Sequence, residues 1–126
     1  MSRRHRIQPV DFNRHETALE YLVNHLETIG LDRKDISWVI KEPRIYVPGK
    51  LEQEVACDAV VGYDGYKDVD LIELKHSYKH MEKAQQQLEN TEAMFVNKIG
   101  YKVNNKYIVF YPFMNYKVLP KKESTE

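Results

Sequence analysis

Apolar residues recur along the chain in two rhythms. Between Asn13 and Gly30 they fall at Leu19, Leu22, Val23, Leu26 and Ile29, a three-and-four spacing that predicts one stripe on a helix stopped by Gly30. The same spacing returns at Tyr78, Met81, Ala84, Leu88, Thr91 and Phe95. Ser77 can cap this second helix, which is expected to run to about Lys98 before Gly100 ends it. Elsewhere the pattern is extended. Ile36-Ser-Trp-Val-Ile-Lys reads as a strand with Trp38 as its core anchor, interrupted by Glu42-Pro43. Ile45-Tyr-Val is a short extended piece and Pro48-Gly49 a turn. Lys106-Tyr-Ile-Val-Phe-Tyr predicts a late strand closed by Pro112, and Asn104-Asn105 reads as a turn. Residues 1–10 lack periodicity and carry Arg3, Arg4 and Arg6, so a mobile basic arm is expected there, with a polar tail over 120–126.

Between these elements lies the stretch from Val55 to Lys75, which predicts a hairpin reversing at Asp64-Gly65. Folding it there sets each position i against 131 − i, so Asp58 faces Glu73 and Ala56 faces Lys75. Alternation gives Glu73 and Lys75 one face, with Cys57, Ala59, Ile72 and Leu74 as the apolar other side. Two carboxylates and an ammonium then converge, provided the register does not slip by one residue. The element order predicts a compact α/β domain spanning 1–126, with a central mixed sheet of about four strands flanked by helices.

Composition changes the picture in three ways. A chain of 126 residues with 42% hydrophobic content can bury one core without covalent staples. The single cysteine, Cys57, excludes an internal disulfide framework and fits a buried thiol in a reducing compartment. No apolar run reaches the length of a membrane span, and the start carries no signal-peptide pattern, so an intracellular, cytoplasmic protein is expected. The formal net charge is zero, but its distribution is not uniform. Seven acids stand between Leu51 and Glu73 against Lys67 alone, whereas Ala93 to Lys122 holds six lysines and no acid. A basic rim around an acidic centre suits a polyanion held through a cation, and scattered lysines also serve solubility.

Glu-x-Lys by itself carries little information, because 12 Glu and 13 Lys in this length give about one such triplet by chance. Its setting carries more: the triplet ends a strand, Asp58 faces it across a hairpin, a Gln-bearing helix follows and a Glu-bearing helix precedes. This arrangement resembles the PD-(D/E)-x-K nuclease superfamily, whose motifs fall on Asp58 and on Glu73-Leu74-Lys75. Glu20 matches the preceding-helix glutamate of resolvase-like members, with Glu16 as the alternative, and Ala84-x-x-Gln87-Leu88 is similar to the helix that follows the motif. Cys57 stands where the name-giving proline would be. Small size and the Glu20 pattern look most like archaeal-type junction resolvases or virus-borne nucleases, the latter implying host cytoplasm.

The resemblance implies a restriction-endonuclease-like core and Mg²⁺-dependent hydrolysis of nucleic acid, DNA in the first instance, with Mn²⁺ able to substitute and a homodimer expected. Asp58, Glu73, the Leu74 carbonyl and Glu20 would hold the cation, Lys75 would act on the attacking water, and Gln87 would orient Lys75 or a phosphate. Lys79 and Lys83 would follow the nucleic-acid backbone. Three other readings stay open: a nuclease fold kept only for binding, a protein-interaction subunit, and an ion cluster of purely structural purpose. His76 and His80 could begin a zinc site, but no third ligand is evident.

Overall fold

The computed structural model describes residues 13–45, 48–49, 55–63, 65 and 67–120. The basic arm, the tail beyond Pro120, Tyr46-Val47 and Asp64 of the expected reversal lie outside the described residues. Two helices and five strands follow in the order α1 (His15–Asn24), β1 (Ile36–Lys41), β2 (Ala59–Tyr63), β3 (Asp68–Lys75), α2 (Met81–Met94), β4 (Lys102–Phe110) and β5 (Asn115–Val118). The strands form one mixed sheet in chain order. β3 and β4 run parallel, joined through α2, and every other neighbouring pair is antiparallel.

The hairpin register is the one the sequence predicts. Ala59 pairs with Ile72, Val60 with Leu71, Val61 with Asp70 and Gly62 with Val69, every pair summing to 131. The ladder stops there, with one further bond from the Asp58 N–H to the Ile72 carbonyl at 2.9 Å. Ala56 therefore does not reach Lys75; it packs with Ile45 and Val55 in a small cluster of its own. β2 and β3 are buried on both faces, which explains their near-continuous apolar run.

Each helix covers one face. Leu19, Leu22 and Val23 of α1, continued by Leu26 and Ile29 in a short 3₁₀ turn, pack on Ala59, Val61, Ile72, Leu74, Tyr107 and Val109. Ala84 and Leu88 of α2, with Phe95 beyond it, pack on Val60, Val69, Leu71, Ile108 and Phe110. Each fully buried aliphatic chain contributes about 1.5–3 kcal/mol, so this two-sided burial dominates the fold's stability. Gly30 and Gly100 stop the helical runs in left-handed backbone conformations. Ser77 caps a 3₁₀ turn that leads into α2, its hydroxyl accepting the Lys79 N–H at 3.1 Å.

Three expectations need correction. Cys57 belongs to the α2 face, because residues 55–58 precede the ladder and the Cys57 N–H is drawn to Thr91 Oγ1 of α2 at 2.8 Å. Asn104-Asn105 is not a turn but a bulge inside β4, where Val69 and Asp70 pair with Val103 and Asn105 and Asn104 is left over. The sheet has five strands, not about four: β5 is an exposed edge strand whose short Asn-Tyr-Lys-Val alternation buries no side chain. Trp38 is half-buried and lies over Gly62, where a Cβ would come within 2.0 Å of its ring. Among the described residues, no helix is long and apolar enough to cross a membrane.

Candidate functional site

The carboxyl ends of the parallel pair β3 and β4 carry the charges that a core strand should lack. Alternation along β3 sends Val69, Leu71 and Glu73 toward α2, so Glu73 continues an apolar row and is only 1% exposed. Its Oε2 pairs with Lys75 Nζ at 2.9 Å, while its Oε1 is buried without a hydrogen-bond partner. Burial pushes the Glu73 carboxyl well above its usual range, the neighbouring Asp58 carboxylate pushes it further, and Lys75 offsets part of this.

Asp58 crosses the end of the sheet just before β2. Its carboxylate accepts the Leu74 N–H at 2.7 Å and meets His15 Nε2 at 3.1 Å. Because a strand residue's N–H and C=O point to the same side, the Leu74 carbonyl lies on that same edge, beyond the last rung of β2. The His15 imidazole is raised above its ordinary value, chiefly by the hydrogen bond to Asp58. Its ring also meets the Tyr111 ring edge-on at 5.8 Å, and the His76 ring lies 5.2 Å from that of the same tyrosine. Burial and the Asp58 and Glu73 carboxylates hold the Tyr111 phenol up in pKa, which places it in their field.

The expected residues divide accordingly. Asp58, Glu73 and Lys75 come together, with Leu74 between the last two. Gln87 is buried on the inner face of α2 beside Ala84, Leu88 and Thr91, and its Oε1, like that of Glu73, has no hydrogen-bond partner. Lys79 and Lys83 are exposed on the approach to α2 and on its first turn. Glu20 is not brought to the cluster. It stands in solvent on Lys41 of β1 at 2.6 Å, with Asn24 as a further partner, because its position on α1 faces outward toward the sheet edge. Glu16, the alternative, pairs with Arg14 and lines a shallow hollow with His15 and Glu42.

The group that sequence reasoning missed is His15. It lies one residue before Glu16 and four before Leu19 on α1, so helical phase does place it over the core stripe's end, a signal that polarity alone obscures. Glu42 also belongs to this corner: its N–H donates to the Asp58 carbonyl at 2.7 Å, and it adopts a positive φ of 53°, uncommon for a residue with a side chain.

The donor set fits a hard divalent cation of the Mg²⁺ type. Mg²⁺ takes one or two carboxylates, keeps several waters and accepts phosphate oxygens, so Asp58, Glu73 and the Leu74 carbonyl match its needs without a third acidic ligand. The partnerless Glu73 Oε1 is the atom such an ion would satisfy. Among the described residues no group of three or more His, Cys, Asp or Glu side chains is placed to hold a metal ion. Cys57 is no contributor, since burial pushes its thiol up to about 12. Compared with known proteins, the chain matches no family model, no curated protein and no solved structure.

Proposed function

We propose that the protein is a Mg²⁺-dependent nuclease of the PD-(D/E)-x-K type, acting on DNA and more readily as an endonuclease than an exonuclease. The observation that carries this reading is Glu73: a carboxyl almost wholly buried between Lys75, which takes one oxygen, and the Asp58 carboxyl, two acids gathered at one strand end. A purely structural cluster gains nothing from two acids that share one lysine, because each disfavours the other's charge and burial adds to the cost. The order α1, β1, β2, β3, α2, β4 supports a restriction-endonuclease-like core, the site lying outside the carboxyl ends of parallel strands, where open α/β sheets bind ligands.

Asp58, Glu73 and the Leu74 carbonyl would hold the cation, which when bound neutralises phosphate charge and makes a water molecule nucleophilic near neutral pH. Lys75, held by Glu73, keeps its ammonium at the open end of β3 to orient that water and to stabilise charge on the phosphate. His15 Nε2 and the Leu74 N–H both meet Asp58 Oδ2 and fix the carboxylate through that one oxygen. Gln87, buried on α2 with its Oε1 unpaired, would orient Lys75 or a phosphate, and Lys79 and Lys83 would meet the phosphates that follow. So small a chain covers little of a duplex, and a homodimer would double that surface.

Calorimetric titration of Mg²⁺ separates the roles. Glu73→Ala should abolish binding, whereas Lys75→Ala should bind the ion and fail to cleave. Unchanged Mg²⁺ affinity in Glu73→Ala would remove the assignment.

A further inference from the structure

The second helical stripe places Tyr78 on the core side of α2, but the ring does not go there. Tyr78 is 61% exposed and stacks on Phe110, with centroids 4.1 Å apart and planes 27° from parallel. One face of the tyrosine is thus covered and the other is open to solvent. Phe110 is the β4 partner of Lys75 in the parallel ladder, and ladder partners share a face of the sheet, so the stack stands beside the Lys75 side chain. Lys79 follows Tyr78 in the chain and is exposed, while the His15, Tyr111 and His76 ring cluster lies on the other face of the strand end. Phe113, 83% exposed, lies in the turn that follows β4.

A large ring held flat but left uncovered, one strand away from a cation that faces phosphate, has the form of a stacking platform. Base–aromatic stacking needs an open π-face, and every unpaired base has one to offer, whereas bases inside a duplex are already stacked on their neighbours. The adjacent cations supply the charge complementarity for the phosphate joined to that base. We infer that the Tyr78–Phe110 stack binds an unpaired base of the substrate next to the phosphate at Lys75, so that the preferred ligand is single-stranded or carries an unpaired end. The inference rests on the nuclease reading for placing the scissile phosphate, but the stacking itself can be read without cleavage.

The test uses a short DNA strand carrying one 2-aminopurine, whose fluorescence falls on stacking, presented alone or annealed to its complement, with Ca²⁺ in place of Mg²⁺. Wild-type protein should quench the single strand and bind it more tightly than the blunt duplex. Tyr78→Ala should weaken single-strand binding roughly 5- to 150-fold, the range that base stacking supports, with far less effect on the duplex. Tyr78→Phe keeps the ring and should bind and quench like wild type; the exposed position makes both variants safe for folding. Single-strand binding unchanged in Tyr78→Ala, or a duplex bound as tightly as the single strand, would overturn the platform. Metal-dependent cleavage is scored in parallel with Lys75→Ala. Tyr78-dependent quenching without any cleavage would keep the platform and remove the nuclease, whereas cleavage with a silent Tyr78→Ala would do the reverse.

Discussion

The least comfortable residue in the molecule is Glu73, and its discomfort is measurable. Its carboxyl is raised in the folded protein, so above its ordinary value near 4.5 the native state retains a proton that the unfolded chain releases. Metal-free stability must then fall as pH rises from there toward the raised folded value. His15 acts in the same direction at higher pH: its imidazole is raised from 6.5, so its stabilisation is complete below that value and is lost as pH climbs through the folded one. Thermal melts of the metal-free protein should therefore decline as pH rises above 4.5 and again above 6.5. Glu73→Gln should flatten most of that decline and raise the melting temperature at the alkaline end, while losing all metal-dependent activity, a trade of stability against function. A melting profile that is flat in the wild type, or unchanged by Glu73→Gln, would contradict this account. Asp58, Glu73 and Lys75 were legible in the sequence because strand alternation and a two-sided hairpin leave few registers that bury the right residues. The helix contribution was not. Neighbouring helix positions differ by only about 100°, so His15, Glu16 and Glu20 could be told apart only once the location of Lys41 on β1 was known.

At the scale of elements, the hairpin is where sequence and structure agree most closely, and the ends of strands are where they part. The ladder from Ala59 to Gly62 follows the predicted register, but the prediction extended it past Asp58, where the chain leaves the sheet. Thr91 explains the departure: its hydroxyl receives the Cys57 N–H at 2.8 Å and donates to the Gln87 carbonyl at 2.8 Å, turning segment 55–57 toward α2. Asn90 adds a bond from its Nδ2 to the Val55 carbonyl at 3.1 Å. Such long-range hydrogen bonds have no periodic signature. The β4 bulge is equally silent in sequence, since it depends on Asp70 accepting the Asn105 N–H at 2.9 Å and the Tyr63 hydroxyl. Gly62 provides the sharpest test of packing between β1 and β2. Gly62→Ala should destabilise the protein by about 1–3 kcal/mol, because the new methyl group meets the Trp38 ring and the ring must move. Urea melts of Gly62→Ala, alone and with Trp38→Leu, check this: the second change should recover part of the loss, and additive losses would show that the two side chains do not compete for one space.

At the scale of the whole molecule, a sheet in which only the central pair runs parallel gathers the chemistry at one end. The carboxyl ends of β3 and β4 hold Glu73, Lys75 and Phe110, with Tyr111 just beyond, and α1 brings His15 to Asp58 there. The α/β class and the order of the main elements were readable from the two apolar rhythms, since two helices and three of the strands carry buried residues and β1 is half-buried. β5 was not, as all four of its residues are exposed and an alternation only four residues long, Asn-Tyr-Lys-Val, is too short to mark an edge strand. The uneven charge is also a property of this scale, and it sets a condition on any nucleic-acid complex: affinity must fall steeply as salt rises, with a slope of about −0.7 per phosphate contact on single strands. The most direct test of the central claim is cleavage of labelled single-stranded, duplex and four-way-junction DNA with Mg²⁺ or Mn²⁺, comparing wild type with Lys75→Ala. The account predicts cutting that requires the metal and disappears in the variant; no cutting of any substrate, or cutting that survives Lys75→Ala, would contradict it.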